Sequence, residues 1–185
     1  VVPDKSFLYT LPRKVLSVNP IIVKELRSRM RGWRAFAVLT GALLLMGAIN
    51  DLEHIGDVVE VNMVNLRTQR IKKGIKISAA TQKVIKTLHV VVSDALKAAL
   101  RALVEEDKDY AQRVLSMNED MKRLTLEADL HQAQRLVSED SGKFEAYSLE
   151  IEIIEKFKRI FHHARRIALG VVEAGDIAST VEKAA

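Results

Sequence analysis

The sequence predicts an all-α protein: an up-down antiparallel helical bundle preceded by a basic amphipathic helix and a short apolar helix. Three observations carry this. All three prolines, Pro3, Pro12 and Pro20, fall in the first 20 residues, so nothing after them forbids long helices. Apolar residues recur at steps of three and four through four long stretches, and no window alternates with period two over a useful length. Hydrophobic residues make up 48% and aromatics only 5%, which implies a core of Leu, Ile, Val and Ala. A chain of 185 residues is long enough to build one such core.

Residues 1–20 are punctuated by proline and read as irregular. Pro20 suits a first helical position and Asn19 its cap. In the following "IIVKELRSRMRGWRAF", Ile22, Val23, Leu26 and Met30 sit at helical spacing, with Lys24, Arg27, Arg29, Arg31 and Arg34 over much of the remaining surface. Such a helix lies on an anionic membrane, so Arg27, Arg29, Arg31, Trp33 and Arg34 are expected to meet lipid headgroups. An ordinary solvated helix is the alternative. Ala35 to Ile49 follow without a charge. As helix they rise about 22 Å, short of the ~30 Å hydrocarbon core. A membrane span, a half-buried helix and a fully buried core helix all stay open. As a span, the arginines would put its N-terminal side in the cytoplasm. Residues 1–49 are therefore expected to form an arm, 50–177 the bundle and 178–185 a tail.

The first bundle helix carries the stripe Leu52, Ile55, Val59, Met63 and Leu66, and Gly74 is expected to end it. The second starts after Ser78, an N-cap residue, and runs to about Val104 along Val84, Leu88, Val91, Ala95, Ala99 and Ala102. Asp107 caps the third, on which Tyr110, Val114, Met117, Met121, Leu124, Ala128 and His131 alternate steps of four and three. The "SEDSGK" turn closes it. The fourth carries Phe144, Tyr147, Ile151, Ile154, Phe157, Phe161, Ala164, Ala168 and Val171, with Gly175 as its expected stop. Narrow stripes on long helices with short connections predict antiparallel neighbours packed at ~20°.

Composition also excludes. There is no cysteine, so disulfides, thiolate metal sites and a Cys nucleophile are ruled out. Residues 1–34 hold eight Lys/Arg against two Asp/Glu, while 35–185 hold 21 against 22. The basic excess lies wholly in the arm, so no nucleic-acid partner is expected, and nucleic-acid binding through the basic arm is only the weaker alternative. No glycine-rich phosphate loop, G-x-S-x-G, H-E-x-x-H or nucleophile with an evident base is present, so an enzyme is not expected.

"NDLEHIGD", Asn50 to Asp57, breaks the apolar run with three acids. Glu53, Asp57 and Glu60 lie at i, i+4 and i+7, one helix face, with Asn50 and His54 beside them and the stripe next to that face. Like charges so spaced repel by a few tenths of a kcal/mol. Solvent screens them, or a cation offsets them: iron, manganese, zinc or magnesium, with His54 adding affinity for the transition metals. One helix supplies half a shell, so a second helix or subunit must complete it. The plain alternative is a solvated acidic face. His162, His163, Arg165 and Arg166 are candidates for an anion or partner contact, against an ordinary polar face. His89 and His131 read as core histidines, and Arg70 to Lys76 as a basic loop.

"NDLEHIGDVVEVN" resembles the signature helix of PhoU-type proteins, with Asp51, Leu52, Glu53, Ile55, Gly56 and Asp57 matching and His54 where arginine is usual. With "VVEVNMVNL" it is most similar to the PhoU-like domain attached to bacterial sodium/phosphate cotransporters, over roughly residues 45–175. The resemblance implies two three-helix repeats, the first incomplete here, and metal held at Glu53 and Asp57. At "KRIFHHARRIA" the resemblance implies a second signature without its acids: Lys158 stands for the glutamate, Phe161 for the glycine and His162 for the aspartate, and Lys158 is expected to pair with an acid of the opposite repeat. "NPIIVKELRSRMRGWRAFAVLTGALLLMG" resembles the start of ABC-type permease subunits. Together these imply a regulatory role in phosphate transport at the cytoplasmic membrane face. The implied partners are a transporter subunit and further copies or a larger complex. A structural subunit of a membrane complex is the rival.

Overall fold

A computed structural model describes residues 20–138 and 144–183, with side chains from Ala35 onward except at 131–132, 135–138 and 181–182. The described residues form helices with no strand among them, as expected. α1, Pro20–Asp57, runs without a break through a π-helical segment, Val58–Met63, into α2, Val64–Lys72. α3 spans Ala79–Glu105, α4 Lys108–Ser138 and α5 Phe144–Lys183. The last three pack on one another as a three-helix unit, and α1 packs on α5 alone, so α5 touches every other helix. The basic stretch, the apolar stretch and the acidic motif thus share one continuous rod.

Most helix ends follow from local chemistry. Gly74 takes φ +62° after α2, where the turn needs a left-handed residue. Ser78 caps α3, its Oγ accepting from Thr81 N–H at 3.1 Å. Asp107 Oδ1 accepts from Asp109 N–H at 2.7 Å and opens α4. Glu106 ends α3 in the left-handed region at φ 53°, a place where glycine is usual. Asn19, His131 and the "SEDSGK" closure lie outside the described residues or side chains.

The core is aliphatic and small. Leu88, Val114, Ile154 and Ile167 are fully buried, and Ala95, Ala98, Ala99 and Ala102 of α3 lie in one core with Ala164 and Ala168 of α5. Short side chains at these positions let the helix backbones approach closely. A second, smaller cluster joins Leu66, Ile77 and Leu149 near the start of α3. Beside it the buried Glu150 carboxylate accepts from Thr81 Oγ1 at 3.1 Å and Ser78 N–H at 3.3 Å.

Four expectations are corrected. Val59 is 45% exposed and Val58 buried instead. The π-helical turn adds a residue, so the stripe steps from Val58 to Met63 and then to Leu66. Phe144 is exposed at the mouth of α5. His89 is exposed, its ring edge-on to Phe157 at 6.0 Å. Gly175 does not stop α5. Instead Lys108 crosses it to reach Asp176, Nζ to Oδ1 2.7 Å, and a Cβ at 175 would strike the Lys108 side chain.

Two substitutions test this packing by urea denaturation. Ala99→Leu is expected to lose roughly 1–3 kcal/mol through overpacking. Glu106→Gly is expected to gain about 1 kcal/mol by relieving the left-handed backbone.

Candidate functional site

On α1, Gly41, Leu44, Ala48, Asp51, Ile55 and Val58 succeed one another at steps of three and four. Ala48, Asp51, Ile55 and Val58 are buried along this line. Asp51 is therefore a carboxylate at a core position, 2% exposed. A buried carboxylate is costly unless it is paired and hydrogen-bonded. α5 supplies two partners one turn apart: His163 Nδ1 at 2.8 Å from Oδ1, and Arg166 at 3.3 Å from the same oxygen. His163 is almost enclosed, whereas Arg166 is about half exposed. The His54 ring lies 5.3 Å from that of His163, and the His162 ring 5.6 Å on another side. Helices α1 and α5 are thus joined by a charged node inside an otherwise apolar seam.

The node gathers His54, His163 and Arg166 but not the expected metal acids. Glu53, Asp57 and Glu60 are exposed on the side of α1 turned away from α5, rather than at the edge of the core. They have no ion-pair partner among the described residues. Nor, among those residues, do three His, Asp or Glu side chains converge where they could hold a metal ion. The remaining donors for a metal would have to come from another chain. Asp51 went unassigned in the sequence, although a charge on a line of apolar residues is itself the signal.

Lys158 is tied within its own three-helix unit, to Asp129 of α4 at 3.3 Å and Glu155 at 2.7 Å, and not to an acid of α1. Burial alone would lower its pKa, but the bond to Glu155 and the charges of Asp129 and Glu155 prevail and hold it above the ordinary lysine value. Beside it, Glu155, Lys156, Lys158, Arg159, His162 and His163 line a shallow groove of ≈ 380 Å³. His162 faces solvent there and Arg165 is half-buried. Since His163 is engaged by Asp51, the free cationic groups on this face are fewer than the sequence suggests. The side chains of Arg27, Arg29, Arg31, Trp33 and Arg34 lie outside the description.

A larger apolar groove of ≈ 630 Å³ lies between α1, α5 and the end of α3, lined by Gly41 and Leu44, by Ala174 and Ala178, and by Leu103. Asp51 and Arg166 stand at its wall. Within Ala35–Lys72 the chain is long and apolar enough to cross a membrane by length and composition, with a mean hydropathy of 1.7.

The architecture is all-α, a three-helix unit with one added rod. Residues 85–171 match the PhoU domain, a stretch from within α3 through α4 into α5. No curated protein and no solved structure matches the chain. The matched stretch lies within the three-helix unit; the Asp51–Asp57 motif on α1 lies before it.

Replacing His163 by Ala should leave the buried Asp51 under-bonded and cost roughly 1–3 kcal/mol in urea denaturation. An Asp51→Leu, His163→Leu double variant should lose less than the two single losses together, because neither enclosed polar group is then left without the other, and the half-exposed Arg166 can turn to solvent.

Proposed function

We propose that this protein is a non-catalytic regulator of phosphate transport that works at the cytoplasmic face of the membrane by docking on a transporter subunit. The PhoU-domain match over residues 85–171, within the α3–α4–α5 unit, carries this reading. The charged node supports it, since it fixes α1 to that unit through residues of the signature motif and of its altered second copy. The groove of Lys156, Lys158, Arg159 and His162 is the face offered to the transporter, and an acidic cytoplasmic segment is its complement. Lys158 and Lys156 there are held by Asp129, Glu155 and Glu152, which leaves Arg159 and His162 for the partner. Attachment through a transporter would hold the protein at the membrane without requiring α1 to span the bilayer.

The test is phosphate uptake by the source cell at low and high external phosphate. Deleting the coding sequence is expected to uncouple uptake from external phosphate, and an Arg159→Glu, His162→Glu double variant to do the same while remaining folded. Uptake unchanged by deletion under both conditions would overturn the reading.

A further inference from the structure

The side of α1 turned away from α5 has no neighbour among the described residues. Opposite the packed line lie Leu39, Leu43, Met46, Asn50, Glu53, Asp57 and Glu60. The apolar members are well exposed, Leu39 and Leu43 at 60% and Met46 at 69%, flanked by Phe36, Val38, Leu45 and Ile49. A contiguous apolar surface of this kind on a soluble face marks an interaction site. Along the rod the charge is uneven: Lys24, Arg27, Arg29, Arg31 and Arg34 outnumber Glu25 at one end, Ala35 to Ile49 carry none, and exposed Glu53, Asp57 and Glu60 follow at the other.

We propose that α1 pairs antiparallel with α1 of a second copy of this chain, about a two-fold axis at Ala42, the midpoint of the uncharged stretch. About that point Arg31 comes level with Glu53 of the other copy, Arg27 with Asp57 and Lys24 with Glu60. Leu39 comes level with Leu45, and Val38 with Met46. Two-fold symmetry makes each of these contacts twice. The pairing covers the apolar surface and sets each row of acids against a row of bases, so like charges one turn apart are offset by the partner.

A bilayer fits the same surface less well. α5 lies along the apolar stretch, and Asp51, Arg166 and Glu173 line the groove between them. Hydrocarbon around that stretch would enclose these charges at a cost of several kcal/mol. For a helix lying flat on an anionic surface, Glu53, Asp57 and Glu60 on the apolar side repel the headgroups.

The absence of cysteine makes the test clean. The intact chain is expected to sediment at twice its 20.7 kDa mass. A single Ala42→Cys should cross-link to a dimer on mild oxidation, while Glu127→Cys on α4 should not. Glu53→Lys with Asp57→Lys, and separately Arg27→Glu with Arg31→Glu, should each give monomers of unchanged helicity. Mixing the two variants should restore a dimer containing one of each. A wild-type monomer overturns the pairing, above all one that floats with phosphatidylglycerol vesicles and binds them more tightly once the acids are reversed. So does a dimer indifferent to both reversals, or one that EDTA dissociates, which would assign the acids to a bridging metal. None of these outcomes bears on the α5 groove, so the pairing and the phosphate reading fail separately.

Discussion

Asp51 is the constraint on which the assembly of this molecule turns. Its position on α1 faces the core, and its charge forbids that position unless α5 answers it. His163 and Arg166 do so from successive turns. The apolar residues around the node would allow α1 to slide or rotate on α5, because contacts among Ala, Leu and Ile are only weakly directional. A carboxylate that must meet two particular donors admits one register. The same node links the two places where the chain resembles a repeated signature, the Asp51 motif on α1 and the His162–His163 segment on α5.

Much of the fold was legible because helical periodicity, caps and turns are local. The stripes on α3, α4 and most of α5, the Ser78 cap and the Gly74 stop follow from residue type and spacing alone. The errors arise where local signals meet tertiary ones. Gly175 resembles a helix stop, yet its missing side chain serves the passage of Lys108 from the neighbouring helix. Val59 and Val58 are equally apolar, and only the widened turn after Asp57 decides which is buried. The site was less legible than the fold. That Glu53, Asp57 and Glu60 share a face is a property of one helix. Which way that face points depends on where α5 lies, and spacing on α1 carries no information about that.

The three-helix unit and the rod divide the work between them. α3, α4 and α5 enclose a core of small side chains and hold the stretch that matches the PhoU domain. From Ala35 to Asp57, α1 buries one narrow line on that unit and leaves its opposite side exposed among the described residues.

The π-helical segment sets a limit on what can follow the rod. An α-helix turns about 100° per residue, so one inserted residue swings everything beyond it by that amount. The acidic ridge ends at Glu60, inside the widened turn, and the exposed Val64 and Ile71 past it point along a different azimuth. A straight helical companion laid on α1 would lose its track there. The wide turn thus acts as a ruler's end-stop, written in backbone geometry instead of in any side chain.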